Sequence, residues 1–423
     1  MRAHQALALL GIALATSLPA TITIADSPLI GRVLDPDGKP VAKARVFIYT
    51  ASVRTGTSPY CPSCYPDCRK AADTDRDGRF SIRALSDSLR FRVLVMAKDW
   101  DPLFVDRVDP MEGPVEFRLA KRRVEKTDPQ HSLRGQVLDP MSQPVVGATL
   151  EPFGYAEDMA NGAHRARFGL VNADPLCVTD DQGRFSLALG DSGVLWFIRV
   201  RARDLAPQLL SRQPASATPI TVRMRHGATV TGRLVRDGKP LAGVGVGLVQ
   251  AVRAAQFMAY GHDEIATDER GVFTFPNVTP GEDYFVHGKM ASLGALGVLD
   301  TGRVRVQGDE SLIKVGDLPV TPGRRVSGQV VLSNGGPVPP GTRILLSLEN
   351  GAWDSRIETL DQNGRFDMRG IPPCDATLYV RLKGYRFAPE TSGYREAYGS
   401  RECAVPATAD VDGLRLVLEP DGS

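Results

Sequence analysis

The sequence lacks the features of a nucleic-acid-binding or membrane-spanning protein. Its 51 basic and 49 acidic residues give a net charge of +2, and no basic block is longer than Lys121-Arg122-Arg123, so we expect no nucleic acid as a partner. The one long, mainly apolar run, Ala6–Leu18, spans 13 positions, whereas a membrane-spanning helix needs about 20. We therefore expect no membrane span.

Catalytic sequence patterns are missing as well. None of the 6 His residues begins a His-x-x-Glu pair, and no H-E-x-x-H sequence occurs. No phosphate-binding glycine loop follows a predicted strand, and no His stands in the context of a catalytic triad. The sequence therefore predicts a protein that is not an enzyme and that needs no cofactor for catalysis.

The N-terminus has the composition of a targeting segment. Arg2 supplies a positive start, Ala6–Leu18 is the apolar stretch, and small residues up to Ala25 suit a cleavage site. We predict a signal peptide over residues 1–25, with cleavage before Asp26. No Cys lies directly after the apolar stretch, where a lipid would be attached, so a lipid anchor is not expected. The mature protein should be secreted or periplasmic, where disulfides are favoured.

With 42 Gly and 31 Pro the chain is rich in turns, and one turn motif occurs four times. It reads D-x-x-G-x-F, and Thr precedes the Asp in all copies except the last. The Asp caps a turn, the Gly accepts a positive φ, and the Phe follows two positions later. We predict that each copy is a β-hairpin whose exit strand places the Phe in a core. The copies are Thr74–Phe80, Thr179–Phe185, Thr267–Phe273 and Leu360–Phe366.

A second motif precedes each of these turns. It reads G-x-V-x-D followed by G-x-P-V-x-x-A-x-V, and it becomes looser in the later copies. The spacing of roughly 100 residues between copies suits a domain rather than a solenoid repeat. The motif begins at Gly31, Gly135, Gly232 and Gly328.

Each copy also ends on a short strand in which apolar and polar residues alternate. Many such strands, separated by turn signals and without a convincing amphipathic helix, are typical of β-sandwiches. We predict an all-β fold, a tandem array of four Ig-like, transthyretin-like β-sandwich domains after the signal peptide. The predicted domains cover residues 27–121, 131–225, 226–319 and 323–420.

The two motifs together resemble the carboxypeptidase regulatory-like domain, a transthyretin-like sandwich of about seven strands. The resemblance covers nearly the whole mature chain in four copies. It implies an exported, non-catalytic binding or structural protein whose loops recognise an unknown protein or polysaccharide. Structurally similar starch-binding sandwiches make carbohydrate one option.

The most unusual segment is the Cys-rich insert 61–68 of the first predicted domain. It holds Cys61, Cys64 and Cys68 with spacing C-x2-C-x3-C, and Cys177 is expected in a similar region of the second domain. One alternative is two disulfides, one inside the cluster and one to Cys177. Another is a metal-binding protein with Zn²⁺ on these four thiolates, and a third is a thiol-redox protein.

The remaining Cys residues, Cys374 and Cys403, form a natural disulfide pair within the fourth domain. Closing that loop would stabilise the fold by about 3 kcal/mol in the chain-entropy estimate.

The three Trp residues are candidates for sugar stacking. Trp196 lies in an apolar strand and is predicted to be core, and Trp100 is predicted to plug a sandwich end. Trp353, in a polar and glycine-containing stretch, is predicted to be exposed and is the candidate binding residue.

Overall fold

The computed structural model describes residues 26–421 apart from positions 57, 122–128, 159–163, 171–172, 191–192, 252–262, 353, 398–399 and 408. Nearly all of its regular structure is β-strand, and the strands form separate sheets that pair into four Ig-like sandwiches. The predicted fold class is therefore confirmed. The predicted signal peptide, residues 1–25, lies outside the described residues. Among the described residues no helix is long and apolar enough to cross a membrane.

The first sandwich packs a three-stranded sheet, in the order β4-β1-β7, on a four-stranded sheet in the order β3-β2-β5-β6. Its first strand pairs antiparallel with β4 and parallel with the last strand, β7. The elements are β1 (Asp26–Leu34), β2 (Arg45–Val53), a 3₁₀ turn (Pro66–Arg69), β3 (Ala71–Asp73), β4 (Arg79–Ser86), β5 (Leu89–Met96), β6 (Leu103–Val108), a 3₁₀ turn (Pro110–Glu112) and β7 (Val115–Arg118).

The second sandwich repeats this arrangement. Its sheets run β12-β8-β15 and β10-β9-β13-β14, with β11 also paired to β9, and its first and last strands are again parallel neighbours. The elements are a 3₁₀ turn (Pro129–His131), β8 (Ser132–Leu138), β9 (Thr149–Asp158), β10 (His164–Phe168), β11 (Cys177–Val178), β12 (Arg184–Ala188), β13 (Val194–Arg201), β14 (Gln208–Pro214) and β15 (Ser216–Arg223).

The third sandwich has one sheet in the order β17-β16-β24-β22, with β20 on β16, and a second in the order β19-β18-β21-β23. The elements are β16 (Ala228–Arg236), β17 (Lys239–Pro240), β18 (Gly245–Gln250), β19 (Asp263–Ala266), β20 (Val272–Val278), β21 (Asp283–Gly288), the short helix α1 (Met290–Leu293), a 3₁₀ turn (Gly294–Leu296), β22 (Val298–Leu299), β23 (Gly302–Arg305) and β24 (Leu312–Thr321).

The fourth sandwich has sheets in the orders β28-β25-β33-β30 and β27-β26-β29-β32-β31. Its first and last strands, β25 and β33, are parallel neighbours as in the other three. The elements are β25 (Arg324–Leu332), β26 (Arg343–Leu348), β27 (Ser355–Thr359), β28 (Arg365–Ile371), β29 (Ala376–Arg381), β30 (Tyr385–Phe387), β31 (Tyr394–Ala397), β32 (Ser400–Val405) and β33 (Val411–Pro420).

The recurring D-x-x-G-x-F turn is not a β-hairpin, which corrects the sequence prediction. In the first sandwich it joins β3 to β4, and these strands belong to different sheets. The turn itself forms as expected, because Asp75 Oδ1 accepts the backbone N–H groups of Asp77 and Arg79 at 2.9 and 2.8 Å. The same crossing occurs between β11 and β12, β19 and β20, and β27 and β28. Each turn therefore connects the two layers of its sandwich.

The turn crosses between layers because hydrogen bonds connect it to the motif that begins G-x-V-x-D. Thr74 Oγ1 donates to Val41 O at 2.7 Å and accepts the N–H of Ala44 at 2.8 Å. Gly78, with φ of +71°, places its carbonyl 2.8 Å from the N–H of Val33. A Cβ on Gly78 would lie 2.6 Å from Val33 O, so the position requires Gly for space as well as for its positive φ.

The first residue of the other motif is Gly because the last strand approaches it closely. A Cβ on Gly31 would lie 2.2 Å from Val115 O and 3.0 Å from the Phe80 ring. A Cβ on Gly135 would lie 2.1 Å from Ile220 O, and a Cβ on Gly328 would lie 2.3 Å from Leu414 O. Any side chain at these positions would push the last strand away from its parallel partner.

Each sandwich has its own hydrophobic core, and the Phe of each turn is buried in it. Phe80, Phe185, Phe273 and Phe366 lie in four separate clusters, as predicted. Trp196 is fully buried in the second cluster, also as predicted, and Trp100 packs partly buried against the first.

The third and fourth sandwiches are joined by buried contacts. Lys289 Nζ lies 2.5 Å from Asp354 Oδ1, and the other oxygen of this carboxylate accepts the N–H of Met290 at 2.7 Å. Burial lowers the pKa of Lys289, but its pairing with Asp354 outweighs burial and the net shift is upward. Next to this ion pair, the Met290 side chain is buried in the hydrophobic core of the fourth sandwich. One apolar side chain of the third sandwich therefore completes the core of the next.

We predict that Thr179→Val lowers the stability of the second sandwich by about 2 kcal/mol, because the buried N–H of Ala148 and carbonyl of Val145 lose their partner. Urea unfolding of the full chain, followed by circular dichroism, measures the change. The matched control is Thr221→Val, at an exposed strand position of the same sandwich, where we expect little change. Equal effects of the two variants would contradict the role assigned to Thr179.

We predict that Asp354→Asn destabilises the joined third and fourth sandwiches by roughly 3 kcal/mol, because it leaves the ammonium of Lys289 without its buried partner. Asp317→Asn is the control, since Asp317 and Arg233 form an exposed ion pair whose loss should cost less than about 1 kcal/mol. Scanning calorimetry should show a single transition for the two sandwiches, and this transition should move to lower temperature in Asp354→Asn but not in Asp317→Asn. Two independent, unshifted transitions would refute the coupling.

Candidate functional site

The structure brings together only part of the predicted Cys cluster. Cys61 and Cys64 form a disulfide, and Cys68 and Cys177 are buried thiols outside it. Cys68 belongs to the core of the first sandwich and Cys177 to the core of the second, so the expected disulfide between them is absent.

The four Cys residues also do not form the predicted zinc site. The Cys61 and Cys64 sulfurs are bonded to each other and are not thiolates, and the other two lie in separate cores. In the part of the chain that the structure describes, no group of three or more His, Cys, Asp or Glu side chains is placed to hold a metal ion.

The predicted Cys374–Cys403 disulfide is also not formed, and both residues are free thiols. The strand register explains why, because Cys403 on β32 stands opposite Leu378 on β29. Cys374 precedes Leu378 by four residues, which is about 13 Å along an extended chain. Disulfides require Cα atoms within about 7 Å. The predicted sugar-stacking residue Trp353 lies outside the described residues.

The Cys-rich insert is part of a loop, residues 58–70, which we call the Cys loop and which leads from β2 to β3. Tyr65 and Cys68 point into the first core and hold the loop there. The carbonyl of Pro62 accepts the N–H of Ala51 at 2.7 Å and the thiol of Cys68 at 3.3 Å. The Cys61–Cys64 disulfide closes the exposed part of the loop. The loop is thus fixed at both its base and its tip.

The Cys loop also contacts the other sandwiches. Ala266, on edge strand β19 of the third sandwich, donates its N–H to Ser58 O at 3.0 Å. Arg203 of the second sandwich donates to Ile48 O, beside the loop, at 2.8 Å. The loop is therefore hydrogen-bonded to the third sandwich, and the strand that precedes it is hydrogen-bonded to the second.

A hollow of about 460 Å³ lies between the Cys loop and the end of β4. Tyr60 and Tyr65 stand side by side at its wall with ring centroids 5.4 Å apart. Tyr65 is buried, but Tyr60 is 59% exposed. The wall is completed by apolar groups, with three hydroxyls and one carboxylate at the rim. Lining residues include Pro59, Tyr60, Tyr65, Pro66, Leu89, Ser58, Ser86, Ser88 and Asp67.

Cys68 and Tyr65, at the base of the Cys loop, carry no charge at neutral pH. Burial raises the pKa of Cys68 to about 11 and also raises that of Tyr65, so both remain protonated. The carboxylate of Asp67 lies 2.5 Å from Lys70 Nζ, which balances its charge. The hollow therefore offers an aromatic surface and hydrogen-bonding groups, with no unpaired charge and no reactive thiolate.

A second, polar groove of about 750 Å³ lies on the five-stranded sheet of the fourth sandwich. Arg395 bridges Glu349 and Glu402, and Tyr379 donates to Glu402 at 2.6 Å. Burial, followed by the bond to Glu402, raises the pKa of Tyr379 to about 12, and the Arg395 hydrogen bond lowers the pKa of Glu349. The charged groups of this groove are engaged with each other, as in a cross-strand ladder that stabilises a sheet.

The sequence analysis did not identify Tyr60 and Tyr65. The signal was present, because the two Tyr residues flank the C-x-x-C sequence and each has a neighbouring or next-but-one Pro. A disulfide across C-x-x-C turns the chain back and places its flanking residues near each other.

Comparison with known proteins identifies no family. No family model matches the sequence, and a search of curated proteins finds no match. Solved structures that overlap include the Bacillus anthracis TIE protein (11% identity, 95% of this chain and 76% of that one, TM-score 0.19) and a streptococcal ancillary pilin (13%, 69% and 100%, TM-score 0.22). Another comprises two B repeat units of the collagen-binding protein of Staphylococcus aureus (12%, 94% and 100%, TM-score 0.17). TM-scores this low carry no functional argument.

We predict that the unfolded, non-reduced protein contains one disulfide and 4 titratable thiols. In the folded protein at pH 8 these thiols should react slowly, because three are buried and burial raises the pKa of Cys68, Cys374 and Cys403. Thiol titration before and after denaturation, with mass spectrometry of the Cys61–Cys64 peptide, provides the measurement. Two or more disulfides would contradict this assignment.

Proposed function

We propose that this chain is an exported, non-catalytic binding and structural protein built of carboxypeptidase regulatory-like sandwiches, which recognises a protein or polysaccharide partner through its loops. One observation supports this most: the residues that recur in all four copies serve the fold, whereas the Cys loop occurs in one copy and presents an exposed aromatic side chain. The alternative of a metal-binding or thiol-redox protein is not favoured, since the Cys residues are dispersed or buried.

The recurring polar residues are occupied by backbone groups. The turn carboxylate in the second sandwich, Asp180, accepts the N–H groups of Gln182 and Arg184 at 2.9 and 2.8 Å. Asp361 in the fourth sandwich accepts two N–H groups in the same geometry. Each of these carboxylates holds the same turn in its own copy, so they do not distinguish one copy from another, and we assign recognition to the loops that differ between copies.

The proposed family assignment rests on the agreement of two motifs with their structural roles. In each copy the motif that begins G-x-V-x-D supplies the strand that the last strand approaches, and the D-x-x-G-x-F motif supplies the turn between layers. The carbonyl of the turn Gly accepts an N–H of the first strand in all four copies, at distances from 2.8 to 2.9 Å. A shared role at matched positions supports one domain type copied four times.

Export is tested on the protein as cells produce it. We predict that N-terminal sequencing of protein from the medium or periplasm gives Asp26 as the first residue, because the preceding residues read as a signal peptide. A mature protein that retains residues 1–25 would contradict export by this route.

Binding is tested with the full mature chain. We expect saturable retention on an immobilised polysaccharide or matrix protein from a defined panel, without turnover of that polymer by chromatographic product analysis. Absence of retention on every member of the panel, or release of cleaved product, would overturn the proposal.

A further inference from the structure

Among the described residues, Tyr60 is the one aromatic side chain that is mostly exposed. Its neighbours restrict its motion, because Pro59 precedes it and the disulfide-bonded Cys61 follows it. A Tyr in a constrained loop loses little conformational entropy when a ligand covers it, and it offers a large contact area. An aromatic group held in water in this way is a suitable platform for a flat apolar surface.

The hydroxyl groups at the rim of the hollow favour a ligand that also forms hydrogen bonds. Ser86 and Ser88 hydroxyls lie 2.8 Å apart, and Ser58 is bonded to Tyr65. A hydroxyl has one donor and two acceptor positions. Those of Ser58 are taken by the backbone carbonyl and N–H of Tyr60 and by the Tyr65 hydroxyl, so the capacity for a further bond remains on Ser86 and Ser88. A purely apolar ligand would remove these groups from water without replacing their hydrogen bonds, at a cost in free energy.

Charge and size restrict the ligand further. Asp67 is matched by Lys70, so neither a strongly anionic nor a strongly cationic polymer gains from this surface. The volume of about 460 Å³ lies within the range of roughly 300–1,000 Å³ that small-molecule sites occupy.

A pyranose ring has this combination of properties, since its C–H face is apolar, its edges carry hydroxyls and it has no charge. We infer that the hollow beside the Cys loop binds one sugar ring of a neutral polysaccharide, with the ring stacked on Tyr60 and its hydroxyls bonded to Ser86 and Ser88. The inference rests on the proposed function, because it names the polymer class and the site for the same loop.

The test uses the full mature chain and neutral hexasaccharides of β-1,4-glucose, β-1,3-glucose, α-1,4-glucose and β-1,4-xylose, with binding measured by titration calorimetry. Tyr60→Ala removes the platform and should weaken binding of the recognised hexasaccharide at least roughly tenfold. Tyr60→Phe keeps the ring and should bind within about twofold of the wild type. Met141→Ala, at an exposed loop residue of the second sandwich, is the matched control and should bind like the wild type.

The outcomes separate this inference from the proposed function. If Tyr60→Ala binds as well as the wild type, the sugar site lies elsewhere and the inference is overturned while the proposed function stands. If no hexasaccharide binds but a proline-rich decapeptide or a matrix protein does, the hollow takes a protein segment and the inference is again overturned. If neither class of ligand binds, both statements fail. Circular dichroism and thermal unfolding establish that each variant is folded.

Discussion

The close approach of the last strand to a glycine of the first strand is the constraint on which each sandwich depends. At Gly31 the Val115 carbonyl stands where a Cβ would be, and the Phe80 ring packs against the same point. Three segments from distant parts of one copy therefore meet at a residue with no side chain. The parallel pairing of first and last strands, the seating of the aromatic ring and the closure of the core all follow from this contact.

The turn between layers adds the second fixed point. Thr74 and Gly78 form hydrogen bonds with backbone groups of the motif that begins G-x-V-x-D, so the two recurring motifs together form one hydrogen-bonded unit. Once the layers are joined there, the longer connection between β2 and β3 adds only Tyr65 and Cys68 to the first core, and most of the rest of it lies at the surface. This arrangement explains how one copy accommodates a Cys-rich loop while the other three do not, and it is the reason that we propose the loop as the recognition site.

Much of the fold was accessible from the sequence, because alternation and turn chemistry are local properties. The burial of Phe80 and Trp196 followed from strand periodicity alone. The hairpin prediction failed because the local turn is the same whether its flanking strands pair with each other or enter different sheets, and only the anchoring of Thr74 decides between them. The Cys374–Cys403 pairing failed for a related reason, since register is a property of two strands and not of a spacing. Tyr60 was missed because its exposure depends on a loop whose path is set by tertiary contacts with the first and third sandwiches.

The parallel pairing of first and last strands has a consequence for mechanical load. In such a pair the chain enters at one end of the sheet and leaves at the other, as β1 and β7 do. Tension applied through the ends of the chain then acts along the strands, and it stretches all hydrogen bonds of the ladder together rather than opening them one after another. In all four sandwiches, therefore, pulling on the two ends of the sandwich would load the ladder between its first and last strands in shear.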